Sequence, residues 1–284
     1  MKRNWRNATL AGMVIACVAI PTLSAQTRKE IRFTVGQNPS VTVVNLKGQV
    51  TVKGGPGRQV VIVATTYSDK VEIASNQNAN RIEVWTHSVG DASNEERRVE
   101  YEVTVPQTSN VNVRAAGGPI RAERLRGDVT LEGDHASVEA RDLSQSHVHI
   151  RTLSGHITLA NIVDSELEVR SLSGNVSMSR VIGPKMRVTA TRGNIFYDGD
   201  FGTGGDYALF THSGNIEVSV PEYASVSLTA RSDKGAVQNE VPMVEKERTP
   251  FSRRSGSSFA GTSHSGSSLV QLLSISGTIR VKKQ

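Results

Sequence analysis

Cysteine is almost absent from this chain of 284 residues; the one present is Cys17. A disulfide framework and a thiolate metal site are therefore excluded for the body of the protein. Aromatic residues make up 5% and hydrophobic residues 37%. That suffices for a folded core but is too mixed with charge for a polytopic membrane protein. Long hydrophobic runs are missing too. The stretch Ala8 to Ile20 is apolar or small over about 13 residues, short of the roughly 20 a membrane span needs. Between 110 and 230 no helical period is held for three turns. Gly-x-Ser-x-Gly, His-Glu-x-x-His, Walker and dinucleotide motifs do not occur, so nothing points to an enzyme or a cofactor.

The apolar stretch follows Lys2, Arg3 and Arg6 and leads through Pro21-Thr-Leu-Ser-Ala25 to Gln26. This reads as a secretory signal peptide over 1–25, cleaved after Ala25. Val14-Ile-Ala-Cys17 also looks like a lipoprotein box that would lipidate Cys17. The short apolar region and the apolar Val18-Ala-Ile start that would result favour cleavage instead. Loss of the leader lowers the net charge from +6 to about +3, which gives no reason to expect nucleic acid. The expected location is the periplasm, cell surface or medium.

What is present is a repeat. A small or basic residue, Gly, a polar residue and Ile or Val recur at Gly48, Gly127, Gly155, Gly174, Gly193, Gly214 and Gly277, with a looser copy at Gly117-Gly-Pro-Ile120. Between these turns residues alternate in period 2, as in Val148, Ile150 and Thr152 against His147, His149 and Arg151. This is the pattern of half-buried strands. Each unit of about 19 residues thus holds two strands joined at a glycine. A meander or a coil would fit. Chemistry aligned at the 19-residue period favours the coil. Asn175, Asn194 and Asn215 share one turn position. Glu132 falls beside Arg151, Glu168 beside Arg187, Glu166 beside Lys185 and then Asp206, Arg121 beside Glu139, and Glu123 beside Arg141. Arg151 beside Arg170 breaks the pattern.

The expected fold is all-β: a two-sheet β-solenoid over 109–238, preceded by an N-terminal β cap with first rungs over 26–108. Residues 239–268, charged and then rich in Ser and Gly, read as a long loop. Residues 269–284 read as the final rung, with Lys282 and Lys283 blunting its open edge.

A leader, a first Gly-turn rung, a strand-rich insert ending in Val-Thr-Val-Pro106, Ser-Gly-x-Ile/Val turns, a Gly/Ser-rich loop and Ser276-Gly-Thr-Ile-Arg-Val281 occur together. In this the chain resembles the bacterial "putative adhesin" β-strand-repeat family, exported domains of unknown function. The resemblance covers nearly all of the exported chain. It implies an envelope or surface location and an adhesin-like role, and it brings no catalytic residues. The turns depart from Ser-Gly at Arg192-Gly193, Lys234-Gly235 and Gly118, where register is least specified.

Three groups are candidate sites. His147 and His149, with His156 and His135 nearby, read as exposed strand histidines rather than as a metal site. Asp198, Asp200 and Asp206 lie in a Gly-rich stretch that opens like a calcium loop, but Leu209 stands where a closing Glu would be; a widened turn is the plainer reading. Phe196 and Phe210 at outward positions, with Phe201 and Tyr223 in loops, could form a binding surface for a protein or glycan. The chain therefore reads as a non-enzymatic scaffold for adhesion or interaction. The alternatives are a carbohydrate-binding or carbohydrate-active β-helix, and a periplasmic module that self-associates through the solenoid ends.

Overall fold

The structure, a computed structural model, describes residues 26–246 and 256–284. The leader and Cys17 lie outside them. Strands β1 (Thr27–Thr34), β2 (Ser40–Asn45), β3 (Val50–Gly55), β4 (Gln59–Thr66), β5 (Val71–Asn78), β6 (Arg81–Ser88) and β7 (Val99–Pro106) build the N-terminal end. The ladder follows as β8 (Asn110–Gly117), β9 (Ile120–Glu123), β10 (Val129–His135), β11 (Val138–Ser144), β12 (His147–Ser154) and β13 (Ile157–Val163). It continues as β14 (Glu166–Ser173), β15 (Val176–Val181), β16 (Lys185–Arg192), β17 (Ile195–Asp198), β18 (Asp206–Ser213) and β19 (Ile216–Val220). The C-terminal end holds β20 (Val226–Ser232), β21 (Val237–Asn239), β22 (Val244–Glu245), β23 (Ser257–Thr262), β24 (Ser268–Ser276) and β25 (Ile279–Lys283).

These strands form two mostly parallel sheets, of 12 and 13 strands, that do not close into a barrel. Each rung of the ladder crosses from the 13-stranded sheet to the 12-stranded one at a corner, a glycine in all but one rung, then returns. In the 13-stranded sheet Val129, Val148, Leu167, Met186, Tyr207, Val270 and Leu228 lie side by side, strand upon strand. In the other sheet Ile120, Val138, Ile157, Val176, Ile195, Ile216 and Ile279 do the same. All of them are buried. Each such side chain contributes about 1.5–3 kcal/mol, and no rung could bury its own without a neighbour.

The corners explain the repeated phrase. A Cβ on Gly174, Gly193 or Gly214 would lie 2.1 Å from the carbonyl oxygen of the glycine one rung back. Only glycine permits that approach. The carbonyls so crowded still need donors, and an inward hydroxyl supplies them. Thr211 Oγ1 donates to Gly193 O (3.0 Å), Ser274 Oγ to Gly214 O (3.0 Å) and Ser232 Oγ to Gly277 O (2.6 Å). The asparagine ladder is side chain to backbone: Asn175 Oδ1 accepts from Asn194 N, Asn194 Oδ1 from Asn215 N, and Asn215 Oδ1 from Thr278 N (3.0, 2.8 and 2.8 Å). Register holds through Arg192-Gly193, Lys234-Gly235 and Gly118, whose glycines all stack in this column.

Gly127 does not belong to it. It precedes β10, a strand of the 13-stranded sheet, and packs against Ser109 O at the opposite corner. Ala136 takes the glycine place in that rung, since Ala136 N donates to Ser154 O as Gly155 N does to Ser173 O.

Both ends are built out of chain order. The rung β6/β7 lies outside β2/β3, and antiparallel β4, β1 and β5 cap it. At the other end β24/β25 is wedged between β18/β19 and β20/β21. Residues 269–284 are thus the penultimate rung in space, and β25 is no edge: Lys282 pairs with Glu217 (2.7 Å) and Lys283 with Glu222 (3.1 Å). Nor is 239–268 all loop. Strand β23 runs antiparallel to β20 and caps the 13-stranded sheet, with β22 beyond it. Antiparallel strands close both sheets at the N-terminal end and the 13-stranded sheet at the C-terminal end, blunting edges that would otherwise recruit further strands, while the 12-stranded sheet ends in the short parallel β21.

Candidate functional site

Side chains that do not enter the core stand on the two outer faces. On the 12-stranded face Glu123 gathers Arg141 (2.7 Å), Lys53 (3.5 Å) and Arg124 (3.5 Å), while Arg121 meets Glu139 (3.1 Å). Partial burial pushes the Glu123 carboxyl up, but the three cations outweigh it and hold it below its ordinary value. Further along, Ser177, Phe196 and Glu217 are neighbours across β15, β17 and β19.

On the 13-stranded face the expected neighbours are adjacent, yet the ion pairs choose other partners. Glu132 lies beside Arg151 but binds Arg114 (2.9 Å). Glu168 lies beside Arg187 but takes Arg170 and, from the previous strand, His149 (3.4 Å). The hydrogen bond from Arg170 holds the Glu168 carboxyl below its ordinary value. His147 meets Asp128 (3.0 Å). These groups surround a shallow depression of about 220 Å³ lined by His147, His149, Glu166, Glu168, Lys185 and Arg187. Among the described residues no three His, Cys, Asp or Glu side chains gather as a metal site would require.

The face changes character at β18. Phe210 lies beside Leu273 of β24, and Leu269 stands on the same strand. Leu269 and Leu273 are 40% and 37% exposed. This is an apolar strip at the C-terminal end of a face whose other strands carry mostly charged and polar outward residues, with Leu153 and Leu172 exposed near the corner.

The four aromatic candidates do not share a surface. Phe196 is on the 12-stranded sheet and Phe210 on the 13-stranded one. Phe201 is buried, its ring 5.2 Å from Tyr197 and 5.0 Å from Tyr207. The turn after Asp198 is wide enough to fold this ring inward. Tyr197 and Tyr207 keep partners for their hydroxyls there: Tyr197 Oη lies 2.8 Å from Val181 O, and Tyr207 Oη donates to Gly183 O (3.0 Å). Burial raises both phenols above their ordinary value. Tyr223 is exposed and donates to Asp200 Oδ2 (3.2 Å).

The three aspartates serve this turn. Asp200 Oδ1 accepts from Phe201 N (2.7 Å), and Asp198 Oδ1 accepts from Gln284 Nε2 (3.2 Å). Asp206 opens β18 beside Lys185 and Leu269.

One feature escaped the sequence reading. The loop before β7 closes as a capped turn: Ser93 N donates to Glu96 Oε2 (2.8 Å), Glu96 N to Ser93 Oγ (3.3 Å), and Lys70 pairs with Glu96 (2.9 Å). The Ser-x-x-Glu spacing was its signal. The bond from Ser93 N, with Lys70, holds the Glu96 carboxyl down at about 2. This turn roofs a cleft of about 680 Å³ against the corner at Ala116–Pro119.

A family model described as Toastrack DUF4097 matches residues 30–282. Among solved structures, a "putative adhesin" from Bacteroides fragilis NCTC 9343 is 10% identical, with 92% of this chain and 99% of that one covered and a TM-score of 0.41. A "putative cell adhesion protein" from Clostridium sporogenes ATCC 15579 is 13% identical, with 91% and 100% covered and a TM-score of 0.30. Curated proteins give no match.

Proposed function

The chain belongs to the Toastrack DUF4097 family, and from that premise we propose that it is an exported, non-enzymatic scaffold of the cell envelope that adheres to a surface protein. The observation that carries this reading is the strip of Phe210, Leu269 and Leu273 on a rigid parallel ladder. Apolar side chains held at fixed spacing on a flat sheet gain from being covered by a partner. The ladder supplies rigidity, so little order is lost on contact. Many charged groups on the remaining surface are paired along and between strands, which suits a solvated face.

The test uses beads coated with the protein and applied to whole cells. Wild-type beads are expected to adhere, and beads carrying the double variant Phe210→Ser, Leu273→Ser are expected not to. Equal adhesion by both would overturn the reading. Export is checked separately by mass spectrometry of the N-terminus from fractionated cells. A chain starting at Gln26 is expected; a lipidated Cys17 in membranes would replace the free form with a tethered one. A glycan partner remains the second reading, because Phe210 presents an aromatic ring beside Thr189. Binding to a glycan array, lost in Phe210→Ala, would favour it.

A further inference from the structure

We propose that the cleft between the capped turn 93–97 and the corner Ala116–Pro119 is a binding site for a small ligand bearing one carboxylate, held by Arg97. The proposal goes beyond adhesion and does not depend on it.

The cleft exists because the repeat is broken at this rung. At the other stacked corners a side chain precedes the glycine, a serine in Leu153-Ser154-Gly155 and Leu172-Ser173-Gly174 and an arginine in Arg192-Gly193. Here the chain reads Ala116-Gly117-Gly118 and then Pro119. Gly118 is required by the stack, since a Cβ on it would lie 2.5 Å from Gly48 O. Gly117 is not. Its backbone is outside the left-handed region, and a Cβ there would meet nothing within 4 Å. Neither conformation nor packing asks for glycine at 117, and the absent side chain leaves room in a cleft of about 680 Å³ that Gly117 lines. That volume suits a disaccharide or a tripeptide. A departure from the local rule with no structural compensation is where function is expected in a repeat.

Charge then selects the ligand. Four basic side chains line the cleft: Lys47, Arg97, Arg98 and His135. Lys47 is bound to Glu95, Arg98 to Glu100, and His135 Nδ1 to Ser154 Oγ. Arg97 forms no ion pair among the described residues, and its Nε is enclosed without a hydrogen-bond partner. A half-buried guanidinium so placed is poorly hydrated and gains from an anion. Its terminal nitrogens match the two oxygens of a carboxylate. A single free cation fits a monoanion better than a phosphate or sulfate dianion. The turn that carries Arg97 is fixed in advance, since Arg97 N donates to Ser93 O (3.1 Å) behind the Ser93–Glu96 cap.

The experiment is titration calorimetry on the full chain with two probe pairs. One pair is a disaccharide ending in glucuronate and its methyl ester. The other is N-acetyl-trialanine and its amide. The result expected is binding of one carboxylate form, at least tenfold tighter than its neutral partner; which pair binds identifies the source as sugar or peptide. Arg97→Gln is expected to weaken that binding at least tenfold. Gly117→Val, which fills open space, is expected to abolish it with the melting temperature unchanged. No binding of either carboxylate at millimolar concentration would overturn the proposal. So would equal binding of the neutral form, or undiminished binding by a folded Gly117→Val protein.

Discussion

The ladder from β8 to β19 and the two ends obey different rules. In the ladder, chain order is spatial order, and the rungs repeat one column of inward residues and one small corner residue, glycine in all but the rung of Ala136. At the ends, chain order is broken. The chain lays down β2/β3, goes outward to β6/β7, and returns inward to β8/β9; later it skips a place to make β20/β21 and fills the gap last with β24/β25. A ladder alone exposes its final core layer, and stacking cannot cure that, because each added rung exposes another. Antiparallel strands end the series in three of the four places, and to reach the outside the chain leaves the order of the ladder. Regular repeats therefore carry stability, whereas irregular ends carry termination, and the cleft at Arg97 lies where the two meet.

If stability lives in the columns, a column defect should be costly. Gly193→Ala places a methyl carbon 2.1 Å from Gly174 O. The expected loss is on the order of 3 kcal/mol, measured by denaturant unfolding, whereas Gly117→Ala at the boundary is expected to change stability by less than about 0.5 kcal/mol. Equal losses would erase the distinction between stacked and open glycines. A smaller effect is expected for Thr211→Val. It keeps the shape and deprives the half-buried Gly193 carbonyl of its hydroxyl donor, at a cost of about 1–3 kcal/mol. The smallest is expected on the outer face. Arg121→Ala removes an exposed pair with Glu139 and should cost no more than about 1 kcal/mol. A loss of the Thr211→Val size there would mean that the ion-pair lattice, and not the core, holds the rungs in register.

Much of the ladder was legible in the sequence. Period-2 alternation marked its strands, and the 19-residue spacing placed Glu123 beside Arg141 and Glu166 beside Lys185, as the register has them. The ends were not legible, for a physical reason. Gly214 to Gly235 spans the same 21 residues as Gly193 to Gly214, so β20/β21 could stack directly on β18/β19, and nothing in that spacing reveals a slot. Ser257–Thr262 reads as loop because Ser and Gly dominate around it, yet its backbone pairs with β20 and its Phe259 packs against the core. Arg126-Gly127-Asp-Val129 repeats the phrase at the wrong corner because both corners crowd a backbone carbonyl, Ser109 O in this case. Among the site candidates, alternation put Phe196 and Phe210 outward correctly but could not tell one sheet from the other. It gave no direction for Phe201, which lies in a turn where no strand continues and is buried.

The wedged rung can be tested by disulfide trapping, since the chain from Gln26 onward has no cysteine of its own. Glu217 lies opposite Arg280, and Arg280 opposite Gln238, so Glu217 and Gln238 are two strands apart. Neighbouring strands are about 4.8 Å apart, and a disulfide spans Cα atoms up to about 7 Å apart. The Glu217→Cys, Arg280→Cys protein is expected to oxidise within one chain, and the Glu217→Cys, Gln238→Cys protein is expected to stay reduced. Rapid closure of the second pair, with the first left open, would place β21 directly on β19 and contradict the out-of-order end.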